Sequence, residues 1–180
     1  SGERYLAALP TADTSAGIRF SAAYSWHALG IAHAALGRLA EARAAWRNAR
    51  AIYDEFGHHA LRALTLLAEL RDVALTYDAA SPGVRRGLAA EAEVTIERAG
   101  GAFRPGVSAQ LAWLGTFVLD GRWDEADRIL ATQSAPGNAF LEREVTAVVT
   151  ELARHRGRPD AAWELIMEHF PDGPATEPGD

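Results

Sequence analysis

Residues 26–49 read WHALGIAHAALGRLAEARAAWRNA, and this stretch decides the fold. Apolar and small residues recur there at steps of three and four on both sides of Gly37, which is the spacing of one helical face. A glycine at the point where the first pattern stops favours a helix end, because glycine adopts a left-handed backbone at low steric cost. Two helices joined by so short a turn predict an antiparallel hairpin.

The turn sequence recurs twice along the chain. It reads GRLAEA at 37–42, GRWDEA at 121–126 and GRPDAA at 157–162. In each copy the glycine ends one helix and the next begins at once, with Asp124 and Asp160 near the positive end of the helix dipole and Pro159 at a first helical position. The alanine that closes each copy allows the two helices to approach closely. The motif therefore indicates architecture and needs no chemical role.

The rest of the chain also favours helices. Periodic segments occur at 59–77, 84–98, 108–119, 123–132, 140–155 and 159–170, and the β-branched stretch EVTAVVT at 144–150 lies inside one of them. We predict an all-α fold in which one domain, residues 1–170, forms a solenoid of about four antiparallel helix pairs. The hairpins are expected at about 14–56, 58–99, 106–133 and 137–170. Residues 171–180 are rich in proline and glycine and are expected to form an acidic tail.

The first hairpin resembles a tetratricopeptide repeat. The residues at that family's spacing are Trp26, Leu29, Gly30, Gly37, Ala42, Trp46 and Ala49, with His33 where the family usually has tyrosine. The second copy of the turn keeps Leu114, Gly115, Ala126 and Leu130, and the third keeps Ala162 and Pro174. Residues 58–99 match poorly, so the hairpin there is predicted from periodicity alone.

The degenerate repeats, the composition rich in Ala and Arg, and the closing sequence FPDGPATEPGD together resemble the helical-repeat region of large bacterial transcriptional regulators of the LuxR/MalT type. That resemblance implies a signal-transduction ATPase module before the repeats and, commonly, a helix-turn-helix after them. Met167 is the single methionine, so Ser1 is not expected to be a native start. We therefore expect the chain to be a fragment of a larger protein.

Composition excludes several classes of function. The 180 residues carry a formal net charge of -6, which argues against direct contact with nucleic acid. The chain has no cysteine, so it has neither thiolate metal ligands nor a cysteine nucleophile. No apolar run approaches the roughly 20 residues of a membrane span, and the first residues do not resemble a signal peptide. We expect a cytoplasmic protein that does not contact a membrane.

The sequence offers no catalytic, cofactor or metal site. The six histidines include no His-Glu-x-x-His spacing, and the adjacent His58 and His59 point to different faces of a helix. Neither a nucleophile elbow nor a glycine-rich phosphate loop occurs. We therefore predict that this segment is not an enzyme and holds no cofactor.

Arg43, Arg47 and Arg50 form a basic stripe on the second helix. Such a stripe could bind an acidic partner, or it could be a solvated outer face. The second interpretation is favoured, because the second helix of a repeat hairpin usually lies on the convex side.

Tetratricopeptide geometry implies a concave groove lined by the first helix of each hairpin. The residues expected on it are Tyr24, His27, Ile31, Ala112, Thr116, Glu144, Ala147 and Glu151. Helical solenoids bind extended or helical peptides on such surfaces. The family members that bind a C-terminal carboxylate use Lys and Asn, which this face lacks, so that ligand class is disfavoured. The alternative is a groove filled by the chain's own flanking helices.

These observations predict a non-catalytic interaction and regulatory module that binds a protein or peptide partner, or a small effector, on its concave face. The alternative is a structural spacer or an oligomerisation segment without a ligand, in which case a homo-oligomer is expected. An α-helical enzyme would need convergent titratable groups around a cavity, and the sequence shows none.

Overall fold

The computed structural model describes residues 16–100, 107–131 and 139–169, and the regular structure in these ranges is helical throughout. The helices are α1 (Ala16–Ala35), α2 (Leu39–Glu55), α3 (His59–Glu69), α4 (Pro82–Arg98), α5 (Val107–Leu119), α6 (Trp123–Leu130), α7 (Ala139–His155) and α8 (Pro159–His169). A π-helical turn, Leu70–Leu75, continues α3. The all-α prediction is confirmed for these ranges. The acidic tail at 171–180 lies outside them.

The chain divides into two compact units, Ser1–Pro105 and Gly106–Asp180. In the first unit α1 packs on α2, α2 on α3, and α3 on α4, and the π-helical turn contacts both α1 and α4. In the second unit α5 packs on α6 and α7, and α7 packs on α8. In the first unit each helix thus packs on the next one in sequence, whereas in the second unit α5 packs on both α6 and α7. A single solenoid of four helix pairs over residues 1–170 stays a prediction.

Four connections between helices use the same turn. Gly37, Gly57, Gly121 and Gly157 have φ angles of 70°, 66°, 74° and 72°. After each glycine the next amide donates to the carbonyl five residues earlier, as in Arg38 N to His33 O at 2.9 Å and Arg158 N to Ala153 O at 3.0 Å. This is the Schellman pattern, which satisfies carbonyl groups that the helix end leaves free. The prediction that the glycine of each Gly-Arg sequence ends one helix just before the next begins is confirmed.

The crossing of α1 and α2 depends on one close approach. The Trp46 side chain is fully buried among Ala34, Ala42 and the π-helical turn. A Cβ atom added to Gly30 would lie 2.4 Å from Trp46 Nε1 and 2.6 Å from Cδ1. Because no carbon fits at that distance, Gly30 lets the indole lie directly against the backbone of α1.

A buried carboxylate joins α2 to α3. Glu69 is 6% exposed, and Arg50 Nη1 donates to its Oε2 at 2.6 Å. Arg43 lies with Nε 3.7 Å from Glu69 Oε1 and also pairs with Asp78. The favoured interpretation of the basic stripe as a solvated face is therefore wrong for Arg43 and Arg50, because both side chains pair with the buried Glu69 carboxylate. Arg47 is exposed as predicted.

The second unit has a separate apolar core. Leu114, Val118, Ala126 and Leu152 are buried together from helices α5, α6 and α7. Arg156, the residue directly after α7, donates to Asp127 Oδ2 at 2.6 Å and to the Trp123 carbonyl at 3.3 Å. These bonds fix the end of α7 against α6.

An aromatic cluster of the first unit lies where α1 begins and α2 ends. The Phe20 ring lies 6.0 Å from the Tyr53 ring and 5.3 Å from the Tyr24 ring, with both pairs edge to face. Tyr53 is buried, and burial together with the nearby Tyr24 raises the pKa of Tyr53 to about 12. The folded state thus holds the Tyr53 proton more tightly than the unfolded chain does.

We expect the free energy of unfolding to fall as the pH rises from about 10 to 12. An unfolded tyrosine ionises near its ordinary pKa of about 10, so ionisation favours the unfolded chain until the folded Tyr53 also titrates. Urea unfolding monitored by circular dichroism across this pH range measures the effect. The Tyr53→Phe chain is the control and should lose less stability over the same interval. Equal slopes in the two chains would contradict this account of Tyr53.

Candidate binding face on the first helix

Helix α1 exposes an uncharged surface. Ten residues between 17 and 36 are exposed, and each is uncharged; they are Gly17, Ile18, Ser21, Tyr24, Ser25, Ala28, Ile31, Ala32, Ala35 and Leu36. Arg19 is neutralised by two hydrogen bonds of 2.7 Å to Glu55. Exposed charges do occur on α2, for example Glu41 and Arg47. We call this set of ten residues the α1 face.

His27 lies half-buried at the edge of the α1 face and is fixed by α3. Its Nδ1 lies 3.0 Å from Thr65 Oγ1, and the Thr65 hydroxyl donates to the Leu61 carbonyl at 2.9 Å. The Thr65 hydroxyl has one proton, which it donates to Leu61. His27 Nδ1 must therefore carry the hydrogen of the bond between His27 and Thr65. Nε2 of the neutral ring is then a hydrogen-bond acceptor.

Burial of the His27 ring favours its neutral form. Burial lowers the pKa of His27, and Arg71 adds to this effect, whereas Asp72 opposes it. Arg71 and Asp72 largely cancel each other, since Arg71 Nε lies 2.5 Å from Asp72 Oδ1 and Nη2 lies 3.1 Å from Oδ2. Both residues belong to the π-helical turn, in which each turn holds more residues than in an α-helix. The sequence predicted an uninterrupted helix over 59–77, so this turn was not expected.

Tyr24 and Ile31 flank His27 along α1, at one helical turn on either side. Their exposed fractions are 49% and 39%. The half-buried His27 ring thus lies between two exposed apolar side chains, an arrangement that suits contact with a ligand. The three predicted groove residues of the first unit therefore share one face of α1. Thr65 and Asp72 were missed, because nothing in the helical periodicity of α1 indicates a partner on α3.

The predicted groove residues of the second unit have varied surroundings. Ala112 and Thr116 are buried, at 0% and 3% exposure, and the Thr116 hydroxyl donates to the Ala112 carbonyl at 3.1 Å. These two side chains therefore offer no surface to a ligand. Ala147 is exposed on α7, and so is Glu151, whose Oε2 accepts hydrogen bonds of 2.6 and 3.0 Å from Arg154. The Glu144 side chain lies outside the described part of the chain. A groove shared by the two units stays a prediction.

Two searches of the described ranges bear on other classes of site. Among residues 16–100, 107–131 and 139–169 no group of three His, Asp or Glu side chains is arranged to hold a metal ion. In the same ranges no helix is both long enough and apolar enough to cross a membrane.

No protein-family model, no curated protein and no solved structure matches this chain. The two family resemblances therefore rest on the sequence motifs that carry them.

Proposed function

We propose that the chain is a non-catalytic binding module that recognises a protein, a peptide or a small effector on the α1 face beside His27. The observation that carries this proposal is the half-buried His27 ring, which contacts Thr65 through Nδ1 and lies between exposed Tyr24 and Ile31 on a helix whose exposed residues are uncharged. A ligand would bury apolar area against the two flanking side chains, and a hydrogen bond to Nε2 would orient it.

The surroundings of His27 support binding over catalysis. The hydroxyl that His27 contacts is Thr65, whose proton already serves the Leu61 carbonyl. A general base must reach the proton that it abstracts from a nucleophile. Because Nδ1 donates in this pair, the ring does not activate Thr65, and we propose no reaction at this site.

The resemblance to LuxR/MalT-type regulators supplies the proposed setting. We propose a sensor segment of a bacterial transcriptional regulator, in the cytoplasm, whose contacts are with proteins or effectors and do not include nucleic acid or membrane. Stacked helix pairs bend collectively, so the segment can adopt conformations of different curvature. A ligand that binds one curvature more tightly would raise its population, and neighbouring modules would respond to that change.

The binding proposal predicts that ligands of the wild-type chain bind the Tyr24→Ser/Ile31→Ser chain at least about 10-fold more weakly. Burying one large apolar side chain contributes about 1.5–3 kcal/mol, and about 1.4 kcal/mol corresponds to a factor of ten. Peptide and metabolite libraries are screened by thermal shift, and the ligands found are titrated by calorimetry.

The matched control is Val94→Ser, which removes an exposed apolar side chain from α4. This chain should keep the wild-type affinity, and circular dichroism should show the same helix content in all three chains. Ligands that bind the double variant as tightly as the wild type would contradict the assignment of the site to the α1 face.

A spacer or oligomerisation segment without a ligand is the second candidate function. The α1 face supports it as well, because an uncharged helix surface also fits another helix. Two results together would favour this alternative: the screens yield no ligand, and the α1 face proves to be covered by another polypeptide.

A further inference from the structure

The excess negative charge of the chain belongs to its second unit. Gly106–Asp180 contains 13 Asp and Glu residues against six Arg, whereas Ser1–Pro105 contains 11 against 12. A net charge of one sign attracts partners of the opposite sign and speeds their association. It also repels a second copy of the same unit. The charge of the second unit therefore favours a cationic partner.

The outer side of α8 places a row of carboxylates beside an exposed indole. Asp160, Glu164 and Glu168 are exposed and follow one another at steps of four, so they form a row along the helix. Trp163 lies beside this row, one helical turn after Asp160, and its exposed fraction is 54%. Exposed tryptophan is the residue type most often found at the energetic centre of protein interfaces. We call Asp160, Trp163, Glu164 and Glu168 the α8 face.

Elsewhere in the second unit an arginine lies between an aromatic ring and a carboxylate. The guanidinium carbon of Arg122 is 4.2 Å from the centre of the Phe117 ring, and its Nη2 donates to Glu125 Oε1 at 2.8 Å. The ring attracts the cation through its quadrupole, and the carboxylate attracts it through its charge. A guanidinium suits both partners, because its plane stacks on a ring while its N–H groups donate at the edge.

Arg156 has the same two kinds of partner. Its guanidinium carbon is 6.0 Å from the centre of the Trp123 ring, and its Nη2 donates to Asp127 Oδ2 at 2.6 Å. The second unit thus twice combines an aromatic ring and a carboxylate around one of its own arginines.

The α8 face combines the same two groups without an arginine from its own chain. Within 107–131 and 139–169, as far as the structure describes these side chains, no arginine pairs with the carboxylates of the α8 face, and none lies over Trp163. The sequence from 171 to 180 adds three acidic residues and no basic one. A guanidinium from another molecule therefore fits the α8 face by both charge and stacking.

The spacing of the row indicates the form of the partner. Carboxylates four residues apart on a helix are separated by about 6 Å along its axis. Arginines at steps of four on a second helix have the same spacing, so the two rows can face each other. Apolar side chains next to those arginines can then contact Trp163 and Met167, which is half-buried one turn further along α8.

We propose that the α8 face binds a basic amphipathic helix of another protein, with arginines of that helix on the carboxylate row and one guanidinium stacked on Trp163. This surface belongs to the second unit, and the α1 face belongs to the first. The proposal does not depend on a ligand at the α1 face.

The probe is a synthetic alanine-rich peptide of about 16 residues, long enough to form a helix in water, with arginines at steps of four and a leucine beside each. Calorimetry measures its binding to the whole chain. The wild-type chain should bind it, and a peptide with glutamine in place of arginine should bind at least about 10-fold more weakly. Raising the salt concentration from about 0.1 M to about 1 M shortens the screening length from about 10 Å to about 3 Å and should also weaken binding.

A triple variant places the interaction on α8. Trp163→Ser/Glu164→Gln/Glu168→Gln removes the indole and two carboxylates of the α8 face, so it should bind the arginine peptide at least about 10-fold more weakly than the wild type. All three side chains are exposed, and circular dichroism should show unchanged helix content.

The matched control is Val94→Ser/Glu93→Gln/Glu97→Gln, which removes one exposed apolar and two exposed acidic side chains from α4. Both triple variants make the chain less negative by the same amount, so a difference between them reports the place of binding. The control should bind the arginine peptide as the wild type does, and so should Tyr24→Ser/Ile31→Ser.

Three outcomes would overturn the proposal. The first is a wild-type chain that does not bind the arginine peptide at low salt, and the second is equal affinity for the arginine and glutamine peptides. The third is equal affinity of the two triple variants, because the peptide would then respond to total charge alone. Light scattering adds a fourth test: self-association that the Trp163 triple variant abolishes would assign the α8 face to a second copy of the chain and also overturn the proposal.

Discussion

Replacing Gly30 with valine is expected to lower the free energy of unfolding by about 3 kcal/mol, at the upper end of the usual cost of overpacking a core. The reason is the indole of Trp46, which lies where the new Cβ would be. The indole is fully buried, so it can yield only by moving the residues packed around it. The gain in helix propensity on replacing glycine with valine is a few tenths of a kcal/mol and is too small to offset this cost.

Gly87 provides the matched control. It lies inside α4, and a Cβ added there meets no atom within 4 Å. Gly87→Val should therefore change the free energy of unfolding by less than about 0.5 kcal/mol, the usual range for a surface substitution. Urea denaturation followed by circular dichroism measures both chains.

A double variant tests whether the indole is the cause. Trp46→Leu alone leaves a cavity, but together with Gly30→Val the smaller side chain frees the space that valine needs. The combined loss should therefore be smaller than the sum of the two single losses. Additive losses would show that Gly30 matters for another reason.

Replacing Glu69 with leucine is expected to cost about 3–5 kcal/mol, as is usual when one partner of a buried ion pair is removed. The carboxylate is shared by Arg50 and Arg43, and Arg50 is itself mostly buried. Without Glu69 the Arg50 guanidinium would stay between α2 and α3 with its strongest partner gone.

An exposed pair in the same unit is the control. Glu55 accepts two hydrogen bonds from Arg19 at 2.7 Å, but both side chains are close to half-exposed. Glu55→Leu should cost less than about 1 kcal/mol. Adding Arg50→Leu to Glu69→Leu should recover part of the loss, because the stranded charge is then removed. A Glu69→Leu chain that is no less stable than Glu55→Leu would contradict the ion-pair account.

The helices and their turns could be predicted from sequence because their signals are local. Each expected helix except 59–77, where a π-helical turn follows α3, is present within about two residues of its expected bounds where the structure describes it. Even 144–150, which is β-branched, belongs to α7, where the apolar pattern outweighs residue propensity. The glycines after α1, α5 and α7 have the left-handed backbone that their positions required.

The interactions that join helices could not be predicted, because they depend on partners that are distant in sequence. Arg43 and Arg50 have the spacing of a solvated stripe, and their role depends on Glu69, which lies 19 residues beyond Arg50. The π-helical turn has no signature in the periodicity of 59–77. Thr116 lies at the helical position expected of a groove residue, but its side chain is buried. The burial comes from packing against other helices, which the pattern of one helix cannot show.

The candidate site was predicted in part. Tyr24, His27 and Ile31 share one helical register, and a spacing of three and four residues is enough to place them together. The tautomer of His27 depends on Thr65, which lies 38 residues away on another helix. The sequence therefore indicated which side chains are near each other but gave no chemical state for the ring.

The Schellman turn has a consequence for how such a chain can grow. It joins α1 to α2 and, at Gly57, joins α2 to α3, with three residues between helices in both places. A duplicated helix pair could thus be inserted through a connector that the chain already uses, with no new loop to evolve. The number of helices can then change by tandem duplication of the coding sequence while each junction keeps its geometry.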